Sequence, residues 1–286
     1  MANSIANTKP KFSVAIQTDT YKNLISRTLG DENRAKRFVA SISSAVATNP
    51  ALQECEAGTI LSGALLGEAL DLSPSPVLGM YYLVPYEDKK NGVKNAQFQI
   101  GYKGYLQLAI RSGQYKKINV LAIKKGELVH YDALNEEIEV NLIEDELERE
   151  NTETIGYYAM FEYVNGFRKA IYWSKQKMEA HADKFSKAFN LDAYRKLQAG
   201  KIPEKDLWKY SSFWYKDFDS MAFKTLLRQL ISKWGVMSIE MQDAYTKDMT
   251  VMKEDGTYEY VDSPSTEDSN IIEAAEETTV TNIDEL

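Results

Sequence analysis

Gln97-Phe98-Gln99-Ile100-Gly101-Tyr102-Lys103-Gly104-Tyr105-Leu106-Gln107-Leu108-Ala109-Ile110-Arg111-Ser112-Gly113 changes its hydrophobic period halfway. Up to Ile100 apolar and polar residues alternate, the two-residue repeat of a half-buried strand. From Tyr102 the apolar residues recur at three and four, the repeat of an amphipathic helix, and Gly113 suits the left-handed position that ends one. A strand running into a short helix over 102–112 is the prediction. Leu106, Ala109 and Ile110 are expected on its buried face. Lys103, Gln107 and Arg111, four apart, form a polar stripe.

Upstream, Gly79 to Tyr86 is rich in β-formers, and Asp88-Lys89-Lys90-Asn91-Gly92 carries the Asn-Gly signal of a hairpin turn. Further back, Thr59 to Leu70 is almost wholly apolar and reads as a buried helix. Asp31 caps a helix with Ala35, Phe38, Val39, Ile42 and Val46 at helical spacing, ending before Asn49-Pro50. Downstream, strands are predicted at 118–122, 138–143, 156–163 and 168–173. Helices follow, one capped by Ser174 and one opened by Asp217 or Asp219 with Leu227, Leu230, Ile231 and Trp234 on its core stripe. Helices, a block of strands, then helices again predict an α+β fold, helices flanking a central, mostly antiparallel sheet. Residues 1–30 read as an N-terminal helical arm, 31–247 as the core and 248–286 as an acidic tail without a packed structure.

Charge along the 286 residues is segregated. Overall it is −8, but residues 254–286 hold 11 acidic and no basic residues, leaving 34 basic against 31 acidic before them. A second acidic block, 132–153, holds 10 acidic residues and only Arg149; without it the body has 33 basic against 21 acidic. A basic body with acidic appendages is the balance of a polyanion binder. The cations concentrate in 89–126, with no acidic residue among them: Lys89, Lys90, Lys94, Lys103, Arg111, Lys116, Lys117, Lys124 and Lys125. Tyr102, Tyr105 and Tyr115 are interleaved. Basic groups that follow phosphates and aromatics that meet bases are the two ingredients of a single-strand groove. In Gly101-Tyr102-Lys103-Gly104 the glycines are expected to let a phosphate approach the helix N-terminus. Lys224 and Arg228, four apart on the last predicted helix, repeat the theme at a small cost in like-charge repulsion that an anion would remove.

Other chemistries find little support. Gly58 and Gly63 have the spacing of a phosphate-binding loop but lack the Gly-Lys-Ser/Thr ending, so ATP-driven chemistry is not expected. Two histidines and the lone Cys55 offer no zinc spacing and no triad. No cofactor and no catalytic residue are assigned. No segment has the apolar length of a membrane span, and Met1–Lys11 lacks the apolar run of a signal peptide, which predicts a cytoplasmic protein.

Four segments together carry a family resemblance: Leu70-Asp71-Leu72-Ser73-Pro74; Leu78 through Tyr86; Gln99 through Tyr105 with Leu108-Ala109 and Arg111-Ser112-Gly113; and Met221-Ala222-Phe223-Lys224-Thr225-Leu226-Leu227-Arg228. In this order and spacing, over roughly Asp31 to Gln242, the chain resembles the RecT branch of the RecT/Redβ superfamily of phage single-strand annealing proteins. The resemblance implies a bacterial or prophage protein that binds single-stranded DNA without ATP. It implies assembly into rings or helical filaments, holding of an annealed duplex intermediate, and work beside a 5′→3′ exonuclease. Lys103 and Arg111 match the family's basic helix, and Lys224 and Arg228 its C-terminal basic helix. Two rival expectations stand beside it. Ile100-Gly101-Tyr102-Lys103-Gly104 is similar to the loop of KH domains, which clamps single-stranded RNA. Glu87-Asp88-Lys89 or the carboxylates of 132–153 would serve a metal-dependent nuclease.

Overall fold

Asp31 caps a helix as predicted. The computed structural model describes residues 10–88, 91–186, 188–253 and 257–260. Lys89, Lys90, most of the arm's first ten residues and the tail after Tyr260 lie outside them. Two short helices, α1 (Phe12–Ala15) and α2 (Asp19–Leu29), precede α3 (Glu32–Thr48), whose first turn is closed by the Asp31 carboxylate accepting from the Arg34 amide. Ala35, Phe38, Ile42 and Val46 are its buried stripe, and it stops at Asn49, where the following proline disfavours helix. In α4 (Ala57–Ala69) burial runs all round the helix. Its glycines are where it lies on the sheet: a Cβ on Gly67 would meet the Tyr81 ring at 2.4 Å.

Strands β1 (Tyr81–Asp88) and β2 (Val93–Ile100) form a hairpin in register Tyr81 to Ile100 through Asp88 to Val93, turning at Asn91-Gly92 with Gly92 at φ 65°. Helix α5 (Tyr102–Arg111) follows directly. Strand β3 (Tyr115–Lys124) pairs with β6 (Thr154–Tyr163), and β6 with β7 (Arg168–Ser174), a second antiparallel sheet. Between them stand a separate hairpin, β4 (Leu128–Asp132) and β5 (Glu137–Val140), and α6 (Glu146–Asn151). The buried Glu127 ties this insert together, accepting from Arg149 Nε at 2.6 Å, the Lys124 amide at 2.7 Å and the Ile143 amide at 3.2 Å. The strand predicted to reach Ile143 therefore stops at Val140, because the next amides turn to Glu127 and its carbonyl.

Helices α7 (Lys175–Phe185), α8 (Leu191–Gln198), α9 (Phe213–Lys216), α10 (Phe218–Trp234) and α11 (Ile239–Lys247) complete the helical set. Ser174 caps α7, and Asp217 rather than Asp219 caps α10. Helix α10 packs on α5, β3, β6 and β7 and so joins the two larger sheets through one core. Two strands fall inside the segment read as tail. Strand β8 (Thr250–Met252) pairs with β2 and β9 (Tyr258–Tyr260) with β8, giving the first sheet the order β1-β2-β8-β9. All described pairings are antiparallel, and the fold is α+β.

Two predicted faces are corrected. Ile110 is 57% exposed; α5 instead buries Gly104, Tyr105, Leu108 and Ala109 against α10. Trp234 is 38% exposed, because it ends α10 beyond the core edge, with the Lys169 ammonium 4.9 Å from its ring.

Candidate nucleic-acid interface

Helix α5 is held at its head by backbone. The Gly101 amide donates to Met80 O at 2.9 Å. A Cβ on Gly101 would lie 2.1 Å from Gly79 O, and one on Gly104 2.2 Å from Met80 O. Both glycines therefore serve the approach of α5 to residues 79–80 of the chain itself, which corrects the expectation that they make room for a phosphate. At the other end Arg111 donates from Nη2 to Leu70 O at 2.5 Å and from Nη1 to Asp71 Oδ2 at 3.0 Å. Leu70 is the C-cap of α4, so this cation closes the carbonyl end of a neighbouring helix. Between the two anchors Lys103 is exposed, with its stem over Gly79, and it makes no ion pair among the described residues. Tyr102 is half-buried, edge-on to Phe223 at 5.5 Å, and Gln107 is half-buried.

The other predicted cations of the C-terminal helix turn inward. Asp248, fully buried, accepts from Lys224 Nζ at 2.9 Å and Arg228 Nη1 at 2.8 Å. It also accepts from the Ile100 amide at 2.9 Å and the Tyr105 hydroxyl at 3.1 Å. The Arg228 guanidinium lies over the Tyr245 ring, 4.3 Å from its centre. Burial pushes the Asp248 carboxyl up, but Lys224, Arg228 and the Ile100 amide outweigh it and hold the group below the usual Asp value. Burial, with the Asp248 charge, drives the Tyr105 phenol well above its ordinary value. Tyr105 (0% exposed) and Lys224 (5%) thus spend their polar ends on Asp248 and offer none to a strand in this conformation; Arg228 keeps a partly open edge. The sequence showed the two cations but not their counter-ion, which lies 20 and 24 residues further on in the segment read as tail.

The remaining lysines divide. Lys94 pairs with Glu54, Lys116 with Glu162 at 2.5 Å, and the half-buried Lys124 donates to Thr154 at 3.0 Å. Lys117 and Lys125 are exposed, with no ion pair among the described residues. Tyr115 donates to Val236 O at 3.1 Å. The structure thus brings Lys103 and Arg111 onto one helix and Tyr105, Lys224 and Arg228 onto one carboxylate.

The KH reading loses its geometry. The Gly-Tyr-Lys-Gly segment joins β2 to α5, whereas the KH loop joins two helices. Asp88 serves a turn, accepting from the Asn91 amide at 3.2 Å and side chain at 2.6 Å. Among the described residues no group of three or more His, Cys, Asp or Glu is placed to hold a metal ion. His181 packs against Trp173 and Phe185, its pKa brought down to about 4 by burial and by Lys177 and Lys184. No described helix is long and apolar enough to cross a membrane.

The RecT family profile matches residues 36–262, from within α3 to just past β9. The "Uncharacterized protein YqaK" of Bacillus subtilis (strain 168) is 39% identical over 280 residues, spanning 94% of this chain and 84% of that one. "Protein RecT" of Escherichia coli (strain K12) is 27% identical over 236 residues, 82% of this chain and 78% of that protein. A match over that length takes in α5, α10 and the Asp248 cluster alike: the chain belongs to the RecT family.

Proposed function

We propose that this protein is an ATP-independent single-strand annealing protein of homologous recombination, working in the bacterial cytoplasm. One observation carries the reading: Lys103, free of any ion pair among the described residues, stands on a helix fixed at both ends. A cation on a helix placed that way meets a phosphate without the backbone first having to be ordered. Annealing asks for no covalent step. Two strands repel through their phosphates; a protein that neutralises one backbone holds that strand with its bases available, and Watson–Crick pairing supplies the specificity. One protomer makes too few phosphate contacts to resist salt, so copies of the chain act in series along the strand, as a ring or filament. The substrate is a strand bared by a 5′→3′ exonuclease.

The test adds two complementary oligonucleotides in turn, without nucleotide, and follows complex size and salt resistance. Stacking of about 1.4 kcal/mol per base-pair step should lock the assembly when the second strand matches. A complex that stays monomeric, requires ATP, or responds equally to a non-complementary second strand would refute the proposal.

A further inference from the structure

Beside α5 lies a cleft of about 620 Å³, between α3 and the chain that leads from α4 into β1. Arg34, Arg37 and Ser41 line one wall, at spacings of three and four along α3, and Ser73 and Met80 line the other. Two carboxylates border it, and each is already matched: Glu68 by Arg34 Nε at 2.7 Å, Asp71 by Arg111 at 3.0 Å. Arg37 is exposed and makes no ion pair among the described residues. With Glu68 matched by Arg34 and Asp71 matched from outside the cleft by Arg111, Arg37 is the lining cation left over, and Lys103 stands just outside the lining. The cleft adjoins α5 twice. Asp71, on its border, is the residue that Arg111 grips, and Met80, in its wall, follows Gly79, on which the Lys103 stem lies.

We propose that this cleft is the second bank of the strand groove, and that Arg37, with Arg34 beside it, contacts the phosphodiester backbone of the strand held by Lys103. The inference rests on the annealing reading and adds to it a site on the N-terminal helices. Its ligand class is set by the balance of charge: the surplus is positive, the acids are neutralised in place, and Ser41 and Ser73 offer hydroxyl donors suited to phosphate oxygens. Nothing here reads base edges, so the contact is indifferent to sequence.

The experiment titrates a fluorescein-labelled oligo-dT with the full chain over a range of salt. It compares wild type, Arg37→Ala, Arg37→Glu, Lys103→Ala and Lys36→Ala. Lys36 lies one residue away but is paired with Glu32 at 2.7 Å on an exposed turn. Arg37→Ala should raise Kd about tenfold at low salt, the loss of one charge-assisted contact, and lower the salt slope by about 0.7. Arg37→Glu should raise Kd further, while Lys36→Ala stays at wild type. Unchanged melting temperatures would confirm that the exposed substitutions leave the fold alone. If both Arg37 variants keep the wild-type slope while Lys103→Ala lowers it, the cleft is not part of the groove and the inference falls by itself. If wild type fails to bind the oligonucleotide, the annealing reading falls and takes the inference with it.

Discussion

Asp248 is one carboxylate answering two cations, an amide and a phenol, and removing its charge should be felt through all of them. Asp248→Asn leaves the buried Lys224 and the partly buried Arg228 without a counter-ion, a change that costs about 3–5 kcal/mol in comparable buried pairs. At roughly 2–4 °C per kcal/mol for a chain of this size, a thermal melt reads it easily. The pH dependence has a definite sign. Because the folded pKa lies below the ordinary Asp value, the group's contribution is complete above about pH 4 and is lost as pH falls through the lowered value. Denaturant unfolding should show a wide gap between wild type and variant at pH 7 that narrows below pH 4. A gap that persisted unchanged at pH 2.5 would mean that the carboxylate charge is not what stabilises the cluster. The cluster also marks a limit of sequence reading. Spacing placed Lys224 and Arg228 a turn apart, but the same four-residue repeat describes a solvated stripe and a buried ion cluster. Only the location of the counter-ion separates them.

At the scale of elements, α5 is fixed by close contact, which sets two local effects against each other at Gly104. Alanine there would gain helix propensity of about 1 kcal/mol. Its Cβ would also lie 2.2 Å from a backbone oxygen that cannot step aside, so α5 or the start of β1 must move, a strain of about 1–3 kcal/mol. Gly104→Ala should therefore lower the melting temperature. A raised melting temperature with weakened DNA binding would restore the view that the glycine exists for the phosphate. Elements with long periodic runs were legible from sequence: α3, α4, the β1–β2 hairpin with its Asn-Gly turn, and α10. Strands β8 and β9, three residues each, are too short to display alternation, and β2, on which β8 pairs, is far away in the chain. Of the small hairpin only β5 was read, and its partner β4 was missed, because Leu128, Ile138 and Val140 serve a small separate core around Ile123, Tyr158 and Met160; α6 buries no residue and left no apolar pattern to read. Of the site, Lys103 was legible as an exposed cation. The inward turn of Tyr105 was not, because its phenol answers a residue 143 positions away.

Across the whole molecule the charge is divided between a basic body and an acidic end, and the boundary can be tested. Residues 263–286 carry seven acidic and no basic residues, and repel DNA. A chain truncated after Asp262 should anneal at least as well as full length at low salt, measured by the rate of duplex formation. A folded truncated chain that loses annealing would contradict this. The cut belongs there and not at Lys253, because β9 pairs with β8 beside Asp248. That same pairing has a consequence for how the protein is made. Asp248 follows Ile100 by 148 residues, so at about 5–20 residues per second the ribosome needs roughly 7–30 s to supply it after β2 has been synthesised. Over that time β2 has an open edge, ready to add any other strand that meets it. Lys224 and Arg228 wait far less, their counter-ion following within 24 residues. The nascent chain stays adhesive until late in translation, and the short strand that seals it is the last but one of the described strands to emerge.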